Sequence, residues 1–415
     1  MDTQVLSGAV NPYALTETVL NKRIDWNRVE RPIELLERTL ETPANALFDG
    51  GRGAPTFALQ APLKAATVGP ANAPRLREMR ADLHQNISPA LRARLTEILT
   101  PKLIPELQPT QYDNASWTDP GDFFEEGTEF ADPVQGGVGD CWLIAALASV
   151  AMSRPYTIVQ RNRTTGAGQD AFVNAIDVAD AGTTKRFEVS ERVPVHNTTG
   201  QPLFARSAEG GEVWPGVYEK AFAKLRSGNL TDQPDIRVLH GGDCVDASAR
   251  LVPGTTAHYT ATQHTTADAL WTQLRDNCIA TPQPSGPLVP VFNRVRSGRT
   301  VNPMTAWTYA KAEDAPDTIK YDATTGIVGW HAYSVLGWIT RSSGVSLPGQ
   351  PQVFERYIVL RNPWGTHEGR VDTFNGSFAS HETSWARNTP LGTGGVFAMR
   401  IESFKKYYAG LGVAR

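Results

Sequence analysis

"DPVQGGVGDCWLIAALASVAMSRP", residues 132–155, joins a glycine-rich turn to an alanine-rich apolar run, with a cysteine at the junction. The run from Cys141 has the Ala and Leu content of a helix and stops before Pro155. Cys141 then has two readings: a small apolar residue opening a buried helix, or a nucleophile held where a helix begins. A thiol becomes nucleophilic when its thiolate is stabilised, and a helix N-terminus beside an imidazolium lowers its pKa from about 8.5 to roughly 3.5–7.5. The turn in front, Gly136, Gly137 and Gly139, lets the backbone approach a substrate and lets amide N–H groups converge, as an oxyanion hole requires. Gln135 offers a side-chain amide donor to the same spot. Asp140 fits an N-cap, although a carboxylate beside the thiol opposes thiolate formation unless it points away.

A cysteine nucleophile needs a base, and the base needs a third group to fix its tautomer. The eight histidines are His84, His196, His240, His258, His264, His331, His367 and His381, and most sit among polar turn residues where a solvated side chain is expected. His331 differs, because it follows "GIVGW" and opens "HAYSVLGW" (331–338), a strand-like alternation that puts His331, Tyr333 and Val335 on one face. In "RYIVLRNPWG" (356–365) a β-rich run is stopped at Asn362. Pro363 pins the backbone there, and Trp364 is placed to shield an Asn-to-His hydrogen bond from water. Taken alone, "NPWG" reads as a β-turn.

The chain has 415 residues, enough for roughly two or three folded units. With 40% hydrophobic and 20% charged residues and a net charge of -3, nothing calls for a nucleic-acid or membrane partner. Three widely separated cysteines make neither a disulfide framework nor a zinc cluster, and leave at least one free thiol. The N-terminus has no basic stretch followed by an apolar one, and no run of about 18 apolar residues occurs. We therefore expect a soluble intracellular protein, most simply a cytoplasmic one, although non-classical secretion would leave no mark in such a reading. The oligomeric state is not legible.

Helices are expected at 31–41 ("RPIELLERTLE"), 88–99 ("SPALRARLTEIL") and 213–225 ("VWPGVYEKAFAKL"), the last entered near Pro215. Residues 48–74 are rich in Gly, Ala and Pro and suit a linker or extended arm, which fits covering the rest of the protein as well as it fits targeting it. Helices early and strands late predict an α+β protein with two lobes and no internal repeat.

"QGGVGDCWLIAALASVA", "GWHAYSVLGW" and "LRNPWG", in that order, resemble the three catalytic blocks of the calpain family of papain-like cysteine peptidases. "LFARSAEGGEVWPGVYEKAFAKL" (203–225) is similar to a further family segment, and Gly241–Gly242 stands where the family has a glycine pair. The resemblance covers about 116–407 and implies a papain-like two-lobed fold: a helical lobe with the nucleophile at 116–240 and a β-rich lobe with His and Asn at 241–410, after an N-terminal extension at 1–115. It implies that Cys141 attacks the peptide carbonyl of a protein substrate. His331 would carry the proton to the leaving amine, Asn362 would orient the imidazole, and Gln135 with the Cys141 N–H would hold the oxyanion. Gly242, Gly139 and Trp364 would border the substrate, Trp364 also shielding the catalytic pair.

The resemblance further implies calcium at a first core site, with backbone carbonyls from Glu125 and Gly127 and carboxylates from Asp132 and Glu212, a donor set that suits a hard cation. A second family calcium site is degraded, because "LGTGGVFAM" (391–399) has no carboxylate and Glu368 alone remains near it. No organic cofactor is implied. At Trp330 the family has glycine, so an indole there is expected to narrow the cleft or change the preferred side chain. No EF-hand loop is present, and the C-terminal domains of larger members are not expected. The rival readings are a non-catalytic scaffold of the same fold and a papain-like acyl transfer such as transglutamination or deamidation.

Overall fold

In the computed structural model the run that begins at Cys141 is helix α1 (Cys141–Ser153), and every residue from Trp142 to Met152 is buried. A helix that is apolar all round belongs inside a core, which is what the alanine-rich sequence encodes. The structure describes residues 110–121, 123–124, 128–165, 173–228, 231–281, 295–342, 353–380 and 388–415. The helices expected at 31–41 and 88–99, the arm at 48–74 and the proposed ligands Glu125 and Gly127 lie outside the described residues.

The chain divides into two compact units. One comprises the described residues up to Thr128 with Ile158–Val178 and Thr183–Val238; the other comprises Glu129–Thr157, Ala179–Gly182 and Leu239–Arg415. The first unit carries the helix expected near Pro215, found at Trp214–Ser227 with proline in its first turn and Gly228 in a left-handed conformation after its end. Its buried Lys220 shows how a charge is accommodated in such a helix: the ammonium donates to Ser190 O (2.9 Å) and Arg192 O (2.7 Å) and pairs with Asp232 (3.3 Å). Buried Glu219 accepts from the Ala205 N–H at 3.1 Å. Strands Asn162–Thr165, Val173–Asp180 and Thr183–Ser190 form a three-stranded sheet, and Ala115–Thr118 pairs antiparallel with Val193–His196.

The second unit is built on one seven-stranded sheet. Its strands are β1 (Thr256–Thr260), β2 (Cys278–Ala280), β3 (Val295–Thr308), β4 (Ala332–Ser342), β5 (Phe354–Arg361), β6 (Val396–Arg400) and β7 (Tyr408–Ala414). The order is β6-β5-β4-β3-β7-β1 with β2 beside β3, and all the pairs are antiparallel. Around it lie α1, α2 (Cys244–Leu251), α3 (Ala267–Asp276) and α4 (Ile401–Tyr407). α1 packs on β3, β4 and α2.

Because both faces of the sheet are covered, β4 is buried along almost its whole length instead of alternating between core and solvent. Tyr333, Val335 and Trp338 join Ile358, Leu360 and Phe397 in one cluster, while Leu336 and Ile339 join Met152, Val359 and Ala398 in another. The strict alternation expected from "HAYSVLGW" breaks between Val335 and Gly337, where the register with β5 shifts. Such a bulge inserts one residue and turns Trp338 to the face of Tyr333. The α+β expectation holds.

Candidate active site

Cys141, His331 and Asn362 all lie in the sheet-bearing unit. Helix α1 starts at Cys141 because the chain before it turns on glycines. A Cβ on Gly139 would lie 2.5 Å from His240 Nδ1, and one on Gly242 would lie 2.4 Å from the Trp142 indole. The two segments are tied by the Gly241 N–H to Gly139 O (2.8 Å), with Gly241 at φ 69°. Trp142 is then locked by its indole N–H to Leu239 O at 2.8 Å. The space that Gly139 and Gly242 leave open is therefore filled from within the protein, by His240 and Trp142. Asp140 occupies the N-cap position, but its side chain makes no capping bond; its carbonyl starts the helix by accepting from Leu143 at 2.8 Å.

His331 is held by its backbone. Its N–H donates to Thr308 Oγ1 (3.0 Å), the Thr308 N–H donates to His331 O (3.0 Å), and Thr308 Oγ1 donates to Val328 O (2.8 Å). Thr308 is thus a positioning residue that sequence reading missed, since a threonine late in a strand carries no signal of its own. The imidazole is buried, with the Trp364 ring 4.8 Å away and the Tyr333 ring edge-on at 5.1 Å.

Asn362 fixes the imidazole tautomer. Its Nδ2 donates to His367 O (3.0 Å) and its Oδ1 accepts from the Trp364 N–H (3.1 Å), which sets the amide orientation. His331 Nε2, 2.9 Å from that Oδ1, must therefore carry the proton, leaving Nδ1 as the basic nitrogen. The turn that holds Asn362 is the one "NPWG" predicted: Gly365, at φ 68°, donates its N–H to Asn362 O at 3.0 Å. Glu368 closes the loop from outside, its Oε1 accepting from the Gly395 N–H at 2.8 Å.

The segment carrying Gln135 is clamped to this turn. The Gln135 N–H donates to Pro363 O (2.8 Å), and the buried Arg361 guanidinium donates to Pro133 O (2.8 Å) and Ala131 O (2.6 Å). Burial pushes the Arg361 pKa down to about 10, with Asp132 acting in the opposite sense. Gln135 directs its side-chain amide to Val138 O at 2.6 Å, across the glycine turn.

The thiol and the imidazole are both neutral in this arrangement. Burial pushes Cys141 up to about 11, opposed by the Ala332 backbone N–H and helped by the charge of Asp140. Burial pushes His331 down to about 4 despite its bond to Asn362. The N–H that the thiol engages belongs to Ala332, the residue after His331, so thiol and imidazole are brought to one place. No hydrogen bond joins thiol to imidazole, and the imidazole is oriented by Asn362.

At the rim, Trp330 is 78% exposed and sits at φ 49°, its N–H donating to Tyr309 O (2.8 Å). A left-handed backbone suits the glycine that the family has at this position, and a tryptophan there is strained.

A thiol at a helix N-terminus, beside an imidazole whose tautomer is set by an asparagine, is the arrangement that papain-like cysteine peptidases use. The calpain family cysteine protease profile matches residues 102–415, and the chain belongs to that family. It is 28% identical over 302 residues to mouse (Mus musculus) calpain-8, covering 70% of this chain and 36% of that protein. It is 26% identical over 301 residues to the chicken (Gallus gallus) calpain-2 catalytic subunit, with shares of 70% and 36%, and 24% identical over 309 residues to human (Homo sapiens) calpain-9, with shares of 70% and 38%. The chain thus spans little more than a third of the length of these relatives.

Of the four calcium ligands that the resemblance implies, Asp132 and Glu212 are described and both are buried. Asp132 Oδ2 accepts from the Glu129 N–H at 2.7 Å, and Glu212 Oε2 accepts from Ser207 Oγ at 2.8 Å. Carboxylate oxygens suit a hard cation, but among the described residues no three His, Cys, Asp or Glu side chains gather at one spot. The other two donors that the resemblance implies, Glu125 and Gly127, lie outside the described residues. No helix among the described residues is long and apolar enough to cross a membrane.

Proposed function

We propose that this calpain-family chain is an endopeptidase that hydrolyses proteins through a cysteinyl acyl-enzyme. The observation that carries the reading is the tautomer lock, Trp364 N–H to Asn362 to His331, beside a thiol at the start of a buried helix. His331 Nδ1 takes the thiol proton as Cys141 Sγ bonds to the substrate carbonyl carbon, and the carbonyl π electrons move to oxygen. Gln135 and the Cys141 N–H hold that oxyanion. Collapse expels the amine, which takes the proton from His331 and leaves a thioester. A water that loses its proton to His331 then attacks the thioester, and the acid product and free thiol are restored. The neutral resting thiol means that the attack begins once bound substrate has brought Sγ within reach of Nδ1.

Calcium at Glu125, Gly127, Asp132 and Glu212, and an intracellular setting, belong to the same proposal. Cleavage of casein by the full-length protein, measured with calcium and with chelator, tests the mechanism and the metal. Wild type cleaves and Cys141→Ala does not. Calcium raises the wild-type rate, and Asp132→Asn removes that increase. Cleavage by Cys141→Ala at the wild-type rate would defeat the mechanism, and equal rates with calcium and chelator would defeat only the metal.

A further inference from the structure

A bay of about 370 Å³ opens on the sheet-bearing unit at the end of β4 away from His331. Trp338, on its floor, is seven positions along the chain from His331, which at about 3.3 Å per residue puts the bay about 20 Å from the catalytic imidazole. The strand register builds one wall. Arg296 on β3, Thr340 on β4 and Arg356 on β5 are direct cross-strand partners and form a single row on one face. Phe354 follows in the next row of that face and is 37% exposed. Over this face α3 lays Trp271 and Arg275, one helical turn apart.

Two features make the bay more than a gap in packing. The first is charge. Arg356 is neutralised by Asp268 (2.5 Å) and Glu402 (3.0 Å), whereas Arg275 and Arg296 have no ion pair among the described residues. The second is rigidity. The Arg275 guanidinium lies 4.2 Å from the Trp338 ring centroid and 5.8 Å from that of Trp271, and Arg356 lies 5.7 Å from the Trp271 ring. A guanidinium laid over an indole keeps its charge and its fork of donors while losing conformational freedom before a ligand arrives. At the floor, the indole N–H of Trp338 is a buried donor without a hydrogen-bond partner among the described residues. Gly298 makes room for that ring, since a Cβ there would lie 2.5 Å from Trp338 Nε1.

We infer that this bay is a substrate exosite for an acidic peptide segment, with a carboxylate received by Arg275 and Arg296 and a neighbouring apolar side chain resting on Phe354. Carboxylates match the unpaired guanidiniums. The inference rests on the peptidase reading only in making the bound segment part of a substrate. An exosite of this kind raises the local concentration of one class of protein at the thiol and leaves the chemistry of short peptides untouched.

The test separates the two ideas by measuring binding on the catalytically silent full-length Cys141→Ala protein. Calorimetric titration with a short Glu- and Phe-rich peptide is expected to show binding that weakens with salt. The peptide with Gln for Glu, and the Arg275→Ala/Arg296→Ala background, should each bind about tenfold more weakly or less. Arg296→Glu should shift the preference toward a Lys- and Phe-rich peptide, which keeps the test decisive if the double variant folds poorly. With active protein, the double variant should raise KM for a substrate carrying the Glu-rich segment and leave cleavage of a short substrate unchanged. No binding, equal binding of the Glu and Gln peptides, or binding indifferent to both arginines would overturn the exosite whatever the enzyme cleaves.

Discussion

Cys141 and His331 make a resting pair in which neither group is charged at neutral pH, the thiol being held up to about 11 and the imidazole down to about 4. Burial is the first cause of both shifts, so access to the thiol and its activation are linked: what opens the site to substrate also changes the dielectric around both groups. Trp330 works at the same scale. Its left-handed backbone at φ 49° is strained, and its indole, 78% exposed, has little packing to offset the strain. Trp330→Gly is expected to raise stability by about 1 kcal/mol, less the extra chain entropy glycine brings to the unfolded state. Thermal denaturation checks this, and cleavage-site profiling of the variant should show a broader choice of residue beside the scissile bond.

Helix α1 and the "NPWG" turn were legible as elements because their signals are local: glycines before Cys141, Pro155 after the helix, and an Asn-Pro break after a β-rich run. What joins them was not legible. Arg361 reaches carbonyls at Pro133 and Ala131 more than two hundred positions away in the chain, and a lone arginine at a strand end announces no such contact. Arg361→Ala should destabilise the sheet-bearing unit by about 3–5 kcal/mol, since it leaves buried carbonyls without donors and opens a cavity. Gly242→Ala should cost about 1–3 kcal/mol, because its methyl would press on the Trp142 indole. Denaturant titrations of the two variants measure both. A Gly242→Ala protein as stable as wild type would mean that the glycine answers to substrate alone.

At the scale of the whole molecule, the expected α+β architecture was readable from helices early and strands late, and the family from four ordered blocks. The composition of the units was not, because the grouping of Glu129–Thr157 with Leu239–Arg415 comes from tertiary packing of α1 on β3 and β4. His331 is buried within the sheet-bearing unit, with a consequence for global stability. A histidine with an unfolded pKa near 6.5 and a folded value of about 4 binds more protons when unfolded between those limits. Its contribution is fully present above about pH 6.5 and is lost as pH falls toward 4, on the order of 3 kcal/mol in total. The wild-type unfolding midpoint should therefore fall across this window more steeply than that of His331→Gln.

The proposed mechanism stands on Cys141, served by His331 and Asn362, as the nucleophile. Burial raises the pKa of all three thiols, Cys244 to about 12 and Cys278 also well above its ordinary value, so basicity alone does not single one out. Treating the full-length protein with an epoxide thiol reagent near neutral pH, and mapping the adduct by mass spectrometry, measures the choice directly. An adduct is expected on Cys141 that forms more slowly in Asn362→Ala and disappears in Cys141→Ala. An adduct on Cys244 or Cys278 that persists in Cys141→Ala, with Cys141 itself unmodified in the wild type, would contradict it.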